Sequence, residues 1–221
     1  MNSITIIYDN TSVSDLFTSD WGFSCLIEFN DKKILFDAGA NGKILMENMK
    51  KLNINPKAIS DVFLSHNHFD HIGGLSAFLN ANNDVIVHVP PSLRGIRYAK
   101  KVIYYDKPTK IYKNIYTTGE LENIEHSMIL KTHKGLIVVT GCSHPKMKDI
   151  LNTANKFGKI HAVVGGLHGF NKFDLFENLS WFCPTHCTQY QKELGKLFSE
   201  KIVTGGVGKI IKIEESKNEI L

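Results

Sequence analysis

The chain has 221 residues, 43 % of them apolar, and a formal net charge of +4. That length supports one sizeable core, so a single domain over residues 1–221 is expected. No apolar run nears the ~20 residues that span a bilayer, and so mild a positive charge does not argue for a nucleic-acid partner, although it suits a small anionic one.

The first residues, Met1 to Tyr8, alternate like a strand and lack the charged start and long apolar core of a secretory signal. A cytoplasmic location is the expectation. Cys25, Cys142, Cys183 and Cys187 are scattered without a disulfide framework and are expected to be reduced.

In chain order, Ile4–Tyr8, Phe23–Phe29 and Lys33–Phe36 read as paired strands, with Asn30-Asp31 as the turn between the last two. Ile44, Leu45, Met49 and Leu52 recur at helical spacing. Ile59–Leu64 reads as a strand, Leu75, Phe78 and Leu79 as a short helix, and Val85–Val89 as a strand closed by Pro90-Pro91. Leu136–Thr140 is a β-branched strand. Pro145 suits the first turn of a helix with Ile150, Leu151 and Ala154 on its apolar face. Ile160–Val164 is a strand, Phe173–Leu179 a short helix, and Tyr190, Leu194 and Leu197 mark another helix before a last strand, Lys209–Ile213. Strands followed by helices, twice over, predict a layered α/β architecture.

The most informative stretch is Ser65-His66-Asn67-His68-Phe69-Asp70-His71-Ile72-Gly73-Gly74, which leaves the end of the apolar run Val62-Phe63-Leu64. In an extended segment His66 and His68 share one side, leaving Asp70 and His71 free to turn to another. Two pairs of metal donors from one loop follow, and imidazole with carboxylate suits zinc and similar first-row ions.

This motif resembles the signature of the metallo-β-lactamase superfamily. Within it the chain most resembles the 7,8-dihydropterin-6-methyl-4-(β-D-ribofuranosyl)aminobenzene-5'-phosphate synthase-like family. The likeness extends to Tyr8-Asp9-Asn10, Ile34-Leu35-Phe36-Asp37-Ala38-Gly39, Thr117-Thr118-Gly119, Thr140-Gly141-Cys142-Ser143-His144-Pro145, Val164-Gly165-Gly166-Leu167-His168 and Pro184-Thr185-His186-Cys187-Thr188. Gln189 then stands where the family usually has glycine. The resemblance implies an αββα four-layer sandwich with the site along one edge. It also implies one metal held by His66, His68 and His144 and a second by Asp70, His71 and His186. Zinc is the expected ion, one or two per chain, with manganese or iron as alternatives.

His168 occupies roughly the place where the superfamily carries a bridging aspartate. It is expected to weaken the second metal, to face the substrate as a catalytic residue beside Asp70, or to play a structural part. Asp37 reads as the acceptor that orients a metal-bound histidine, weighed against a turn aspartate bonding its own backbone. Cys142 and Cys187 flank the ligands, yet a free cysteine reads first as a small buried apolar residue. His88, His126, His133 and His161 lack a flanking cluster and read as ordinary. Arg94 and Arg97 share a face if their segment is helical, and are candidates to grip a phosphate, against the alternative of a solvated basic face.

The leading functional reading is a metal-dependent, hydrolase-like enzyme that acts on a small phosphorylated substrate through a metal-bound hydroxide. The resemblance implies an alternative, a transferase condensing a dihydropterin diphosphate with a ribofuranosylaminobenzene phosphate. A non-catalytic metal- or ligand-binding protein is a further alternative. A di-iron oxidoreductase of this fold typically has glutamate where His68 stands, which argues against that class.

Overall fold

The computed structural model describes residues 2–214. One sheet is built from β1 (Asn2–Tyr8), β2 (Ser24–Phe29), β3 (Lys32–Phe36), β4 (Asp61–Phe63), β5 (Ile86–Val89) and β6 (Lys101–Tyr104), with β13 (Ile210–Ile213) on the far side of β1. The second sheet holds β7 (Thr109–Tyr112), β8 (Ile115–Thr117), β9 (Met128–Thr132), β10 (Gly135–Thr140), β11 (Ile160–Gly166) and β12 (Trp181–Thr185) in the order β12-β11-β10-β9-β8-β7. Helices α1 (Gly42–Lys51), α2 (Phe69–Ile72) and α3 (Leu75–Ala81) follow strands of the first sheet, and α4 (Met147–Ala154) and α5 (Gln191–Leu197) those of the second.

The apolar runs are nearly continuous because both faces of each sheet are covered. Cys25, Ile27, Ile34, Phe36 and Phe63 face Ile137, Val139, Ala162 and Val164 between the sheets. The alternate residues Leu26 and Leu35 turn outward onto Leu45, Met49 and Phe78 of α1 and α3. Leu136, Val138 and Val163 turn outward onto Ile150, Leu151 and Leu194 of α4 and α5. The result is the expected four layers, helix-sheet-sheet-helix. Phe36 and Phe63 stack at 5.2 Å in its centre, and burying each such ring contributes about 1.5–3 kcal/mol.

Several element expectations are corrected. Pro145 stands before Lys146, the residue that caps α4, so it stops the chain short of the helix instead of starting it. Phe173–Phe176 forms one 3-10 turn. Leu197 is 61 % exposed, and only Leu194 of α5 is buried. Residues 93–97 form an irregular loop, not a helix, so Arg94 and Arg97 share no helical face. The turn at Asn30-Asp31 holds: both have positive φ, 48° and 62°, as a tight two-residue hairpin requires. The stretch 101–132 carries β6, β7, β8 and β9, where β6 and β7 form the outer edges of the two sheets.

Strand direction decides where the chemistry gathers. β3, β4, β5 and β6 run parallel, and β1 runs the same way because it is antiparallel to β2, which is antiparallel to β3. β10, β11 and β12 are also mutually parallel. Their C-terminal ends release Asp9, Asp37, Ser65–His71, Gly141–His144, Leu167-His168 and His186. A bridge between His66 and Glu125 and the His126 N–H donated to Ser65 O (3.0 Å) join the two sheets at that edge. No helix among the described residues is long and apolar enough to cross a membrane.

Candidate metal centre

Six side chains from three strand ends meet in two groups. The donor atoms of His66, His68 and His144 lie within 4.8 Å of one another, as do those of Asp70, His71 and His186. His66 Nε2 is 3.1 Å from His68 Nδ1, and His186 Nε2 is 3.1 Å from Asp70 Oδ2. Donors of one tetrahedral ion at about 2.0–2.1 Å sit roughly 3.3 Å apart. His144 Nε2 is buried and has no hydrogen-bond partner. A buried polar atom left unpaired costs about 1–3 kcal/mol, and a cation coordinated there would supply its partner. The residues present therefore fit a metal ion at each triad.

In His66, His71 and His186 the opposite ring nitrogen is engaged, which fixes which nitrogen is free. His71 Nδ1 donates to Asp37 Oδ2 at 2.7 Å. Ser65 Oγ gives its only proton to Asp37 Oδ2 (2.7 Å), so it accepts from His66 Nδ1 (2.8 Å). His186 Nδ1 donates to Asn10 Oδ1 (3.0 Å), and Asn10 Nδ2 donates to His186 O (2.9 Å). Each arrangement leaves Nε2 with its lone pair toward the centre, the usual order behind a metal-bound imidazole. Asp37 is fully buried at φ 53°, a conformation uncommon outside glycine, asparagine and aspartate.

Charge is arranged to match. Burial and the neighbouring His71, His144 and His68 imidazoles hold His66 far below the usual histidine range. Partial burial, with His68 and His168 beside it, lowers His144 to about 4. Burial alone would lower His71, but the Asp37 carboxylate on Nδ1 raises it. Burial alone would raise Asp70, yet the His186 bond and the nearby His71 carry it well below the carboxylate range. Neutral His66 and His144 and an ionised Asp70 are the forms a cation requires at neutral pH.

Three groups that sequence reasoning passed over shape the site. Glu125, wholly buried, accepts the N–H groups of Gly141 (3.0 Å), Cys142 (3.1 Å) and Ser143 (3.1 Å) on Oε1 and that of His144 (2.9 Å) on Oε2. It folds the whole loop around one carboxylate. Gly141 lets that loop cross the histidine loop, since a Cβ there would lie 2.1 Å from Ser65 Oγ. Asp9 Oδ1 accepts the His186 N–H at 2.8 Å. Trp21, 57 % exposed, donates its indole N–H to Asp70 Oδ2 at 2.9 Å and packs its ring edge-on against His186 at 4.8 Å. Only the Tyr8-Asp9-Asn10 motif had a sequence signal; Glu125 and Trp21 stand in no recognisable pattern.

Cys142 lies in the centre. Its Sγ is 3.1 Å from His71 Nε2. It groups with His66 and His71 on one side and with His186 and Cys187 on the other, each set of donor atoms within 4.8 Å. The hydrogen bond with Cys187 and burial push its thiol up.

His168 is placed elsewhere. It is exposed at φ 42°, with its ring 5.0 Å from that of His144, and it belongs to neither triad. The geometry thus sets it on the rim, not between the triads. Arg94 and Arg97 are exposed, and Arg94 lies over the Tyr104 ring at 4.4 Å. Tyr104 ends β6, at the same edge as the histidine loop but at the outer margin of the sheet. His88 Nε2 donates to the Asp61 carboxylate (2.7 Å) and its Nδ1 accepts from the Tyr105 hydroxyl (2.9 Å), and His126 bonds Thr117 Oγ1 and Leu64 O, so both are core histidines as expected.

The comparisons with known proteins agree with this geometry. The chain is 28% identical over 279 aligned positions, covering 94% of it and 95% of the relative, to 7,8-dihydropterin-6-methyl-4-(β-D-ribofuranosyl)-aminobenzene-5'-phosphate synthase of Methanocaldococcus jannaschii. It is 32% identical to an uncharacterized protein of the same organism, over 95% of this chain and 100% of that one. A solved metal-dependent hydrolase of the β-lactamase superfamily superposes with a TM-score of 0.76 at 24% identity, covering 97% of this chain and 100% of the other. The model of the metallo-β-lactamase superfamily matches residues 22–143, a span that ends on the Gly141–Ser143 loop, and with the full-length likeness it establishes that the chain belongs to the metallo-β-lactamase superfamily.

Proposed function

We propose that this protein is a metal-dependent enzyme with a two-ion centre that hydrolyses a small phosphorylated substrate. The observation that carries the reading is the pair of donor triads, with the buried, unpartnered His144 Nε2 among them. Ions bound there, zinc by preference, would polarise a phosphoryl oxygen and lower the pKa of bound water to about 7. His66, His68 and His144 would hold one ion, and Asp70, His71 and His186 the other. Asp37, Ser65 and Asn10 keep the imidazoles in the binding tautomer. Trp21 donates to Asp70 Oδ2, the oxygen that also meets His186 Nε2, and its exposed ring, with Phe69 (72 % exposed) at the start of α2, offers apolar surface to the organic part of a substrate. His168 at the rim is placed to donate to or accept from a substrate oxygen. Arg94 and Arg97 are the candidate phosphate contacts, through charge-assisted hydrogen bonds.

The full-length likeness to a synthase favours a second reading, a transferase in which the same centre stabilises a departing pyrophosphate. Elemental analysis of the purified protein, joined to a screen of phosphodiesters, phosphomonoesters, thioesters and lactams in ¹⁸O-water, tests both. Hydrolysis incorporates solvent oxygen into a product, whereas condensation with an added amine does not. A protein that binds metal and turns over none of these would overturn the hydrolase reading.

A further inference from the structure

We propose that Trp21 is the positioning residue of the second ion: its indole N–H holds Asp70 Oδ2 in the coordinating direction, so that the affinity of the Asp70, His71 and His186 group, and not that of the other, depends on it. The inference rests on the two-ion reading above and deepens it by giving the one carboxylate ligand an orienting partner of its own.

Three observations converge. The first is which oxygen is held. Asp70 Oδ2 is turned to its own group, 3.1 Å from His186 Nε2 and 3.9 Å from His71 Nε2. Trp21 Nε1 donates to that same atom at 2.9 Å. A carboxylate oxygen carries two lone-pair sites, so the indole N–H takes one and leaves the other for an ion.

The second is need. The terminal torsion of an aspartate is broad and two-fold, so the backbone of α2 does not by itself choose the direction of the carboxylate. His71 is oriented by Asp37 and His186 by Asn10. Among the described residues, Trp21 is the side-chain donor that reaches the Asp70 carboxylate from outside the group. Its ring also packs edge-on against His186 at 4.8 Å, so one side chain touches two of the three ligands.

The third is anchorage, since an exposed tryptophan on a free backbone could hold nothing in place. The Trp21 backbone N–H donates to Asp20 Oδ1 at 2.8 Å, and Asp20 Oδ2 accepts the hydroxyl of the fully buried Tyr8 at 2.6 Å. On the other side, the Phe23 N–H donates to Asp70 O at 3.2 Å. Gly22, at φ 142°, passes so close that a Cβ there would lie 2.5 Å from the same carbonyl. The loop entering β2 is thus fastened both to the core at Tyr8 and to the backbone of Asp70, and the indole spans the gap to the Asp70 side chain.

Zinc binding to the metal-free full chain, read by competition with a chromophoric chelator, tests this. Trp21→Phe keeps a ring beside His186 and deletes the N–H. Of the two dissociation constants, one is expected to rise about 10–100-fold, the usual cost of losing an outer partner of a metal ligand, and the other to keep its wild-type value. In an Asp70→Ala background the same exchange is expected to weaken the remaining binding no further. A second reading leaves the N–H bond intact. Trp21 and Trp181 are the two tryptophans of the chain, so protein labelled with 5-fluorotryptophan is expected to give two ¹⁹F resonances. The one that persists in Trp181→Phe is expected to move as the second zinc ion binds. Two unchanged constants in Trp21→Phe, two equally weakened ones, a loss that recurs in the Asp70→Ala background, or a Trp21 resonance blind to zinc would each overturn the positioning role and leave the two-ion centre standing. A wild-type chain that takes up fewer than two zinc ions would overturn the two-ion reading, and this inference with it.

Discussion

The carboxylate of Glu125 and the backbone N–H of His144 lie 2.9 Å apart, and the other oxygen of the same carboxylate takes the three preceding N–H groups. One buried side chain from the stretch before β9 thus shapes the loop that delivers a ligand from the end of β10. Burial pushes Glu125 up, and the bonds from His144 and Ser143 oppose that by favouring the ionised form. Glu125→Gln should break the arrangement, because an amide turns an N–H toward one of these donors. Loss of charge-assisted bonds of this kind costs about 1.5–3 kcal/mol, or a fall in Tm of about 3–12 °C for a chain of this size. The variant should also lose metal from the triad containing His144. Scanning calorimetry and elemental analysis check both; wild-type values in both would show that the carboxylate is dispensable.

What the sequence made legible follows from how local each signal is. His66, His68, Asp70 and His71 are recognisable because four donors fall within one loop, and Asp37 because it ends a strand in a motif. Glu125 has no such context: its partners are 16 to 19 positions away and meet it only through the β9–β10 pairing. Cys142 reads as a buried apolar residue, and it is buried; what spacing could not convey is that His71 faces it. The strands β6 to β9 escaped because two of them are edge strands, rich in lysine and tyrosine and only partly covered, so no clean alternation marks them. His168 looked like a replacement for a bridging aspartate by position along the chain, but its left-handed φ of 42° turns it to the rim.

Asp37 governs two ligands, His71 directly and His66 through Ser65. Asp37→Asn presents an amide N–H to one of three donors and disturbs both tautomers. Changes of this type behind metal-bound histidines cost about 10–100-fold in metal affinity. Competition with a chromophoric chelator is expected to show weakened binding of both ions, since the two triads share this residue. A variant in which only one ion weakens would show that the Ser65 relay does not transmit to His66.

His126 sets a pH dependence that is independent of any metal. Burial lowers it to about 3, and it is held neutral, accepting from Thr117 Oγ1 at 3.0 Å and donating to Leu64 O at 2.9 Å. Its unfolded value is about 6.5, so below that pH the unfolded chain binds a proton that the folded chain refuses. Stability from this group is whole above about 6.5 and falls by up to about 1.4 kcal/mol per pH unit down to about 3. Denaturant titrations of metal-free protein between pH 7 and 4 should show this contribution on top of that from His66 and His144, which are also held neutral, and His126→Gln, which cannot take up a proton, should lower the slope by the His126 share. A slope unchanged in the variant would assign the acid sensitivity to other groups.

The last expectation separates position in the chain from position in space. If His168 stood between the triads, His168→Asp would restore a bridging carboxylate and tighten the second ion. The structure sets it outside both donor groups, exposed, with its ring 5.0 Å from that of His144. Aspartate tolerates left-handed φ as well as histidine does, so the backbone at 42° survives the exchange and the variant folds. The new carboxylate then lies at the mouth of the site, where it repels an anionic substrate and no longer offers an imidazole as acid or base. Metal stoichiometry and affinity should match wild type. Turnover of a phosphoester found in the screen should fall about 10²–10⁴-fold, the range for a lost acid or base. Isothermal titration with zinc alongside steady-state kinetics reads the two effects separately. A tighter second ion in His168→Asp would return the residue to the bridging position and require the loop after β11 to move inward when metal binds.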